Sequence, residues 1–224
     1  MIGNAISLTG IDIEDHRVQR LLLQDILDRA KTKADLYREE SNLGRRFSDR
    51  TFERWNKEKF PQAYKVARAY AENFNRLSEK NSLILQGNPG TGKTHLAAAI
   101  ANYIIDNYEE SVYFISSIDI LRTLRSSYES NDFSNTMQRI ENCELLVIDD
   151  LGKEKPSEWV LEQLYTIINH RYENLKPIII TANYKLAELA DRVGVATVSR
   201  LCEMCELLPM SGEDYRMGGS NGRA

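Results

Sequence analysis

Eight consecutive residues, from Gly87 to Thr94, limit what this chain can fold into more than any other stretch of its sequence. They read Gly-Asn-Pro-Gly-Thr-Gly-Lys-Thr and match a phosphate-binding loop. An apolar run before the loop predicts a buried strand, and Leu96, Ile100 and Ile104 follow at intervals of four, which predicts a helix. Strand, loop and helix in this order are the setting that such a loop requires. We therefore expect the chain to bind a nucleoside triphosphate.

Each part of this loop has a physical role. Glycines let the backbone curl so that successive N–H groups point at phosphate oxygens, and the next helix directs its positive end at the same anion. Lys93 can reach the outer phosphates, and the Thr94 hydroxyl can bind Mg²⁺. The residues predicted to contact the nucleotide here are Gly87, Asn88, Pro89, Gly90, Thr91, Gly92, Lys93, Thr94 and His95.

Composition excludes several classes of protein. The 224 residues are 42% hydrophobic, contain three cysteines and include no apolar stretch long enough to span a bilayer. No secretory signal is visible at the N-terminus, so we expect a cytoplasmic protein that does not contact membranes. Residues 1–80 carry 16 basic and 13 acidic side chains (+3), and the remainder carries 13 and 20 (−7), which add up to −4. Any DNA contact must therefore come from a local patch.

Strands and helices alternate after residue 81, which predicts an α/β fold with a five-stranded parallel sheet flanked by helices. The predicted strands lie near residues 83–86, 112–115, 144–148, 177–181 and 206–209. The predicted helices lie near residues 93–107, 117–129, 134–141, 157–173, 185–190 and 192–203.

The N-terminal third has a different character. Apolar residues at intervals of four predict one long amphipathic helix from His16 to about Glu40, followed by a break at 41–44. Two interpretations of this helix remain open: it packs on its own domain, or it docks a partner. Pro61 is expected to open a further helix that runs to about Leu77.

A second strong signal is the run of four apolar residues, Leu145 to Ile148, that ends in Asp149 and Asp150. Such a run predicts a strand that is buried on both faces, and ligands bind at the carboxyl ends of strands in open α/β sheets. In proteins with a phosphate-binding loop, the first carboxylate holds Mg²⁺. The second can orient and deprotonate an attacking water. We assign these roles to Asp149 and Asp150.

Another apolar strand, beginning at Pro177, ends in the neutral side chain of Asn183. An amide at this place can donate a hydrogen bond to the γ-phosphate or to the attacking water. The alternative is an asparagine that begins a turn, which is a common use of this residue. Its position after a buried strand favours the catalytic role.

These motifs, in this order, resemble the AAA+ class of ATPases, and within it the DnaC-type bacterial helicase loaders. The similar runs are residues 88–97, 148–152, 180–183 and 214–216. The resemblance covers about residues 45 to 216. The IstB-type transposition ATPases share most of it, so the resemblance specifies the enzyme class better than the pathway.

The resemblance implies roles for further residues. Asn183 would be the first sensor of the γ-phosphate. Arg200 falls where such proteins place an arginine finger that acts on a neighbouring subunit's nucleotide, and Arg192 is its rival. A guanidinium suits this role because it neutralises charge that builds on the γ-phosphate. Arg216 would face the phosphates of its own subunit, or else form a structural ion pair.

Two parts of the chain are candidates for contact with the base or with DNA. The first is the basic and aromatic stretch around Phe47, Phe52 and Trp55, which could cover the adenine, stack on DNA or pack on the core. Of the two binding roles, we favour covering the adenine. The second is the predicted helix at 116–130, where cations and a ring could contact single-stranded DNA, although a solvated helix face is an equal alternative. Its candidate residues are Arg122, Arg125 and Tyr128, with Lys153 and Lys155 as a second set.

The resemblance implies an ATPase that binds single-stranded DNA, self-associates across its ATP site and delivers a replicative helicase. Asp150 replaces the glutamate of many AAA+ proteins, so slow hydrolysis is expected. The rivals are an IstB-type transposition helper, a nucleotide-switched adaptor with little turnover and, less favoured, a small-molecule kinase. We expect a helical segment at 1–44, an ATPase domain at 45–216 without a C-terminal lid domain, and a disordered tail at 217–224.

Overall fold

A parallel sheet lies at the centre of the described chain. The computed structural model describes Arg20, residues 32–76 and residues 80–212. The strands are β1 (Ser82–Gln86), β2 (Val112–Ser116), β3 (Leu145–Leu151), β4 (Ile178–Ala182) and β5 (Cys205–Pro209). Their order is β2-β3-β4-β1-β5, and every neighbouring pair is parallel. The predicted five-stranded parallel sheet is confirmed.

Helices connect these strands. They are α1 (Lys33–Glu40), α2 (Arg45–Ser48), α3 (Pro61–Glu72), α4 (Lys93–Tyr108), α5 (Ser117–Glu129), α6 (Phe133–Asn142), α7 (Glu158–Glu173), α8 (Leu186–Val193) and α9 (Val195–Met204). A 3₁₀ turn, Phe74–Arg76, follows α3. Among the described residues, none of the helices is both long enough and apolar enough to cross a bilayer.

The sheet is buried on both faces because its side chains alternate between two hydrophobic cores. Leu83 and Leu85 of β1 pack in the core that α3 and α4 cover. Ile84 packs on the opposite face, in the core formed with the helices from α5 to α9. This alternation explains why each strand is a continuous apolar run in the sequence.

Local signals set where several helices begin. The Ser116 hydroxyl accepts a hydrogen bond from Asp119 N (3.1 Å) and caps α5, and the Ser157 hydroxyl caps α7 through Val160 N (3.3 Å). Pro61 occupies the first turn of α3, where its missing N–H costs nothing.

Most predicted boundaries lie within two residues of the observed ones, with informative exceptions. β3 extends three residues beyond its predicted end because Asp149 and Leu151 still align with β2 and β4. The predicted break between the last two helices, near residue 191, is wrong. The α8 helix continues to Val193, and Gly194 (φ 92°) then separates it from α9. Only glycine adopts such backbone angles readily, so it ends the helix.

The N-terminal segment also differs from the prediction of one continuous helix. Thr32 has extended backbone angles and forms a capping box with Asp35, so α1 begins there. The α1 helix packs near α4 and β2, where Arg38 Nη1 donates to Asn102 Oδ1 (2.6 Å) and Phe114 N donates to Ser41 O (2.7 Å). The predicted helix upstream of Thr32, apart from Arg20, and the predicted tail lie outside the described residues. So does Leu77, and α3 itself ends at Glu72.

Candidate active site

The carboxyl ends of β1, β3 and β4 meet at one edge of the sheet and bring the predicted catalytic segments together. In the sheet, β4 lies between β3 and β1. Gln86 aligns with Ala182, and so does Leu151, so the phosphate loop and the acidic segment flank the end of β4. The topology therefore places three segments that are distant in sequence at a single site.

The phosphate loop closes around the side chain of Lys93. Its ammonium donates to Gly87 O and Asn88 O, both at 2.7 Å, and lies 3.5 Å from Thr91 Oγ1. Lys93 is 5% exposed, yet the acceptors in these bonds are neutral oxygens. A cation buried among neutral acceptors at the start of α4 is suited to binding an anionic phosphate.

Two glycines of the loop are required by close contacts. A Cβ at Gly87 would lie 2.0 Å from Met210 O, where the chain after β5 donates Met210 N to Gln86 O. A Cβ at Gly92, whose φ is +96°, would lie 2.7 Å from the Trp55 ring. The first glycine lets the end of the sheet close over the loop, and the second lets an aromatic ring lie against it.

Asp149 joins the loop to β4. Its Oδ1 accepts hydrogen bonds from Thr94 Oγ1 (2.8 Å) and from Thr181 Oγ1 (2.6 Å). Burial raises the pKa of the Asp149 carboxyl above its usual range, and the charge of Asp150 adds to this rise. The two predicted Mg²⁺ ligands, Thr94 and Asp149, are thus in contact, and a hydroxyl beside a carboxylate is the oxygen donor set that Mg²⁺ prefers.

Asp150 is held from several directions. It has a positive φ of 58°, which is strained for a residue other than glycine, and its N–H donates to Thr181 Oγ1 (2.8 Å). Asn183 Nδ2 donates to its Oδ1 (3.1 Å), while Lys153 donates to its Oδ2. The predicted catalytic pair, Asp150 and Asn183, is therefore in direct contact, although Lys153 engages the acid rather than standing free for DNA.

The loop after Asp150 contacts two helices. Glu154 is buried, and its carboxylate accepts from Gly152 N (3.2 Å) and from the Ser117 hydroxyl at the start of α5 (2.6 Å). Arg192 Nη1, in α8, donates to Gly152 O (2.9 Å), and its guanidinium lies 3.9 Å from the Tyr184 ring centroid. These contacts define the position of the loop relative to α5 and α8.

A cavity of about 490 Å³ opens beside the phosphate loop. Its lining residues are Arg50, Arg54, Trp55, Asn56, Lys59, Phe60, Gly90, Thr91, Gly92 and His95. Trp55 stands edge-on to His95, with 5.2 Å between the ring centroids, and its indole N–H has no hydrogen-bond partner within the described chain. The size and the aromatic walls suit an adenine and its ribose.

Only one of the three predicted base-covering aromatic residues lines this cavity. Phe52 is 1% exposed and packs edge-on against Tyr64 and Tyr103, while Phe47 stacks on Phe114 of β2. The prediction is wrong for Phe47 and Phe52 because both rings fill the core beneath α3 and α4. Phe60, at the end of the same basic and aromatic stretch, lines the cavity together with Trp55.

The two candidate finger arginines have different surroundings. Arg192 binds the acidic loop of its own subunit, as described above. Arg200 instead contacts α7, where its Nε donates to Asn169 Oδ1 (2.5 Å) and its Nη2 donates to Tyr165 OH (2.7 Å). None of these hydrogen bonds of Arg200 is to the phosphate loop or to the two acids. Arg216, predicted to face the phosphates, lies outside the described residues.

The predicted DNA-contacting helix, α5, presents a mixture of paired and stacked groups. Arg122 forms an ion pair with Asp119 (2.6 Å). Arg125 lies over the Trp159 ring of α7, 4.6 Å from its centroid. Tyr128 is half exposed and stacks on Phe133 (4.1 Å between centroids). The cation Arg125 and the ring of Tyr128 on α5 thus each contact an aromatic ring of a neighbouring helix, α7 and α6 respectively.

Comparison with known proteins identifies the family. The model of the family described as IstB-like ATP binding protein matches residues 13–221. The chain belongs to this family. Relatives of the IstB-like chain include XkdC, a protein of the phage-like element PBSX of Bacillus subtilis, which is 32% identical over 79% of this chain and 70% of its own length. Another is the replicative helicase loader DnaC of Escherichia coli, 30% identical over 62% of this chain and 56% of its own length.

A third relative is the ATP-binding protein of insertion sequence IS5376 from Geobacillus stearothermophilus, 30% identical over 63% of this chain. Except for XkdC, the IstB-like chain spans about half the length of these curated relatives. Among solved structures, that of a DnaC helicase loader superimposes with a TM-score of 0.69 at 33% identity, covering 75% of this chain and 99% of that one. The predicted AAA+ fold and the DnaC-type resemblance are confirmed.

Three residues of the IstB-like site escaped the sequence reasoning. Thr181 bridges the two acids, and the signal for it was its place at the end of β4, two residues before Asn183. Trp159 meets Arg125, but the sequence separates them by 34 positions. Glu154 is buried, which no local pattern indicates, since its neighbours are exposed lysines.

Proposed function

We propose that this protein hydrolyses ATP at the site between the phosphate loop and the two acids. Lys93 and the loop N–H groups hold the phosphates, Asp150 accepts the proton of the attacking water, and Asn183 positions that water. Thr94 and Asp149 would hold Mg²⁺, which supplies neutralisation of charge on the β- and γ-phosphates when it is bound. Trp55 and Phe60 would enclose the base.

The contact of Thr94 and Thr181 with one oxygen of Asp149 carries this proposal. It connects α4, β3 and β4 at the point where the phosphate loop begins its helix. A purely structural aspartate would gain no stability from ionising in a buried place, since burial raises its pKa. Binding a cation would favour the ionised form and offset that cost.

We further propose that the protein binds single-stranded DNA and delivers a replicative helicase. Similarity to DnaC at 30% identity supports the helicase partner. The pairs formed by Arg125 with Trp159 and by Tyr128 with Phe133, on α5 and its neighbours α6 and α7, support the DNA contact, because aromatic rings and cations together bind single strands irrespective of sequence. Lys155, an exposed residue in the loop after β3, remains a further candidate.

Self-association across the ATP site completes the proposal, with Arg200 of a neighbour acting on the γ-phosphate. We place the ATPase domain at 45–216, preceded by a segment at 1–44 and followed by a tail at 217–224. Arg216 remains a candidate for contact with the phosphates. Slow hydrolysis in the cytoplasm, stimulated by DNA or a partner, is the expected behaviour.

A second candidate function is that of a transposition helper. The family description and the insertion-sequence relative favour it. The partner distinguishes the two, because a loader should co-purify with a hexameric helicase and a helper with a transposase. A nucleotide-switched adaptor is the third candidate, and turnover separates it from both.

The decisive experiment measures ATP hydrolysis with and without a single-stranded oligonucleotide, for the wild type and for Asp150→Asn. We expect the wild type to be stimulated by DNA and the variant to bind ATP but turn over at least about a hundredfold more slowly, since a positioned base contributes about that much. Equal rates for the two proteins would favour the adaptor.

The DNA surface has its own test. Arg125→Ala and Trp159→Ala should each weaken binding of an oligothymidine by about tenfold, because stacking contributes about 1–3 kcal/mol per base. Arg76→Ala, an exposed arginine in the 3₁₀ turn, is the matched control. Unchanged affinity for the oligothymidine in both variants would show that α5 and α7 do not contact the DNA.

A further inference from the structure

The guanidinium of Arg200 is fixed by three hydrogen bonds within its own subunit. Nε donates to Asn169 Oδ1 (2.5 Å), Nη2 donates to Tyr165 OH (2.7 Å), and Nη1 donates to Ala196 O one turn earlier in α9 (3.2 Å). The guanidinium also lies 4.7 Å from the centroid of the Tyr165 ring and 5.8 Å from that of Tyr172. These contacts restrain a long side chain to one orientation.

The hydrogen-bond acceptors of Arg200 are all neutral, whereas several other arginines of the described chain are paired with carboxylates. Arg38, Arg68 and Arg122 each form an ion pair with a carboxylate. The acid in this region, Glu203, accepts a hydrogen bond from Tyr172 OH (2.7 Å) instead. An arginine held by an amide, a phenol and a carbonyl keeps its full positive charge for an external anion.

Arg200 has N–H groups left to donate to that anion. A guanidinium has five N–H groups, and three of the five in Arg200 are used by the bonds above. One N–H remains on each of Nη1 and Nη2. Two parallel N–H groups on neighbouring nitrogens are the arrangement that binds phosphate oxygens in a bidentate manner.

Arg192, the rival finger, differs in the segment that it contacts. Its Nη1 is bonded to Gly152 O, in the loop that carries Asp150, and its guanidinium stacks on Tyr184. It therefore supports the acidic loop within its own subunit, and its removal should affect that subunit alone.

We propose that Asn169 and Tyr165 of α7 are positioning residues that hold Arg200 in the orientation needed to contact the γ-phosphate on a neighbouring subunit. The inference rests on the proposed ATPase function and on the finger role of Arg200. It assigns to α7 a catalytic contribution that its sequence, an amphipathic helix, does not indicate.

The physical effect is preorganisation. An unrestrained arginine must lose rotamer freedom when it meets the transition state, whereas a restrained one has lost it already on folding. Because the finger stabilises charge that builds mainly in the transition state, loosening it should lower kcat and leave KM for ATP unchanged.

The test uses the full-length variants Asn169→Ala and Tyr165→Phe, assayed with saturating single-stranded DNA. Tyr165→Phe retains the ring and removes only the hydroxyl acceptor, so it guards against a folding defect in the first variant. We expect each to lower kcat about tenfold with an unchanged KM. Asn174→Ala, at the end of the same helix and bonded only to His170 O in the described structure, is the matched control and should retain the wild-type rate.

Subunit mixing then separates positioning from a structural role. Asn169→Ala has an intact ATP site and a loosened finger, whereas Asp150→Asn has an inactive ATP site and an intact finger. Excess Asp150→Asn should therefore restore the turnover of Asn169→Ala to near the wild-type rate, and should do the same for Arg200→Ala. A damaged α7 would not be repaired by a neighbour.

Two results would overturn the proposal in different ways. If Arg200→Ala is rescued in the mixture but Asn169→Ala and Tyr165→Phe are not, or if both turn over at the wild-type rate alone, the positioning role is wrong and the finger stands. If Arg200→Ala itself hydrolyses ATP normally or is not rescued, the finger assignment fails and the positioning role fails with it.

Discussion

Two buried cations, Lys93 and Arg171, show how differently one chain can use the same chemistry. Both have neutral acceptors, and they are 5% and 0% exposed. Lys93 bonds to carbonyl groups of its own loop, at positions 87 and 88. Arg171 bonds to carbonyl oxygens of the last turn of α6, of the segment that joins α6 to β3 and of the segment that precedes β4. Its acceptors are Ile140 O, Glu141 O, Cys143 O, Glu144 O and Pro177 O.

The difference lies in what each cation connects. Arg171 joins segments that only the fold brings together, so its bonds stabilise the end of the sheet opposite the phosphate loop. The hydrogen bonds of Lys93 to Gly87 O and Asn88 O stay within its own loop, so a phosphate can replace these two carbonyl groups without separating distant segments of the chain. A buried cation is therefore a candidate for binding when its acceptors are local, and a structural element when they are distant.

Replacing Arg171 with methionine should have the largest effect on stability. The change leaves five carbonyl oxygens near a site that no longer has donors, and each buried acceptor without a donor costs about 1–3 kcal/mol. With partial relaxation we expect the free energy of unfolding in urea to fall by about 4 kcal/mol. A loss below about 1 kcal/mol would mean that water replaces the guanidinium and that the comparison is wrong.

Replacing Lys93 with methionine should weaken ATP binding about a hundredfold, since charge-assisted hydrogen bonds contribute about 1.5–3 kcal/mol each. The free energy of unfolding should change by less than about 1 kcal/mol, because removing a buried charge offsets the lost bonds. Titration calorimetry and urea unfolding measure the two quantities. Lys65→Met, an exposed lysine of α3, serves as the control for both. Undiminished affinity would show that the pocket is not a nucleotide site.

Thr181→Val tests a residue whose hydroxyl both orients the two acids of the site and contributes to stability. Asp149 Oδ1 and Asp150 N would both lose their bond to this hydroxyl, so we expect unfolding to become easier by about 1–2 kcal/mol. The pKa of Asp149 should rise further, because the bond from Thr181 lowers it, and ATP turnover should require more Mg²⁺. Thr166→Val on the exposed side of α7 provides the matched substitution. Wild-type stability and Mg²⁺ dependence would contradict the bridging role.

Arg68→Met should have the smallest effect. This arginine lies near the surface, is paired with Glu72 and Glu53, and stacks over Phe52 and Tyr103. Surface ion pairs contribute little and cation–π contacts about 0.5–1 kcal/mol, so we expect a loss of about 1 kcal/mol in urea unfolding. A loss equal to that of Arg171→Met would remove the distinction between exposed and buried cations.

Much of this architecture could be predicted because the signals are local. Each strand is an apolar run that the two cores require, and the loop, Asp149 and Asn183 follow strands at fixed places. One prediction failed on a local signal: Thr32 and Asp35 form a capping box, so α1 begins at this cap. Others failed where distant contacts decide the outcome, as at Phe52, which faces the core because α3 and α4 enclose it.

The amino-acid sequence alone determined the α/β class, the phosphate loop and the order of the catalytic segments, because glycine spacing and apolar periodicity act within a few residues. The tertiary structure decided which of the polar groups meet: Thr181 with both acids, Trp55 with the loop, and Arg200 with α7. These contacts depend on the strand order β3-β4-β1 and on the packing of α7 against α9. No local pattern encodes either, because both arise from side chains that are distant in sequence being buried together.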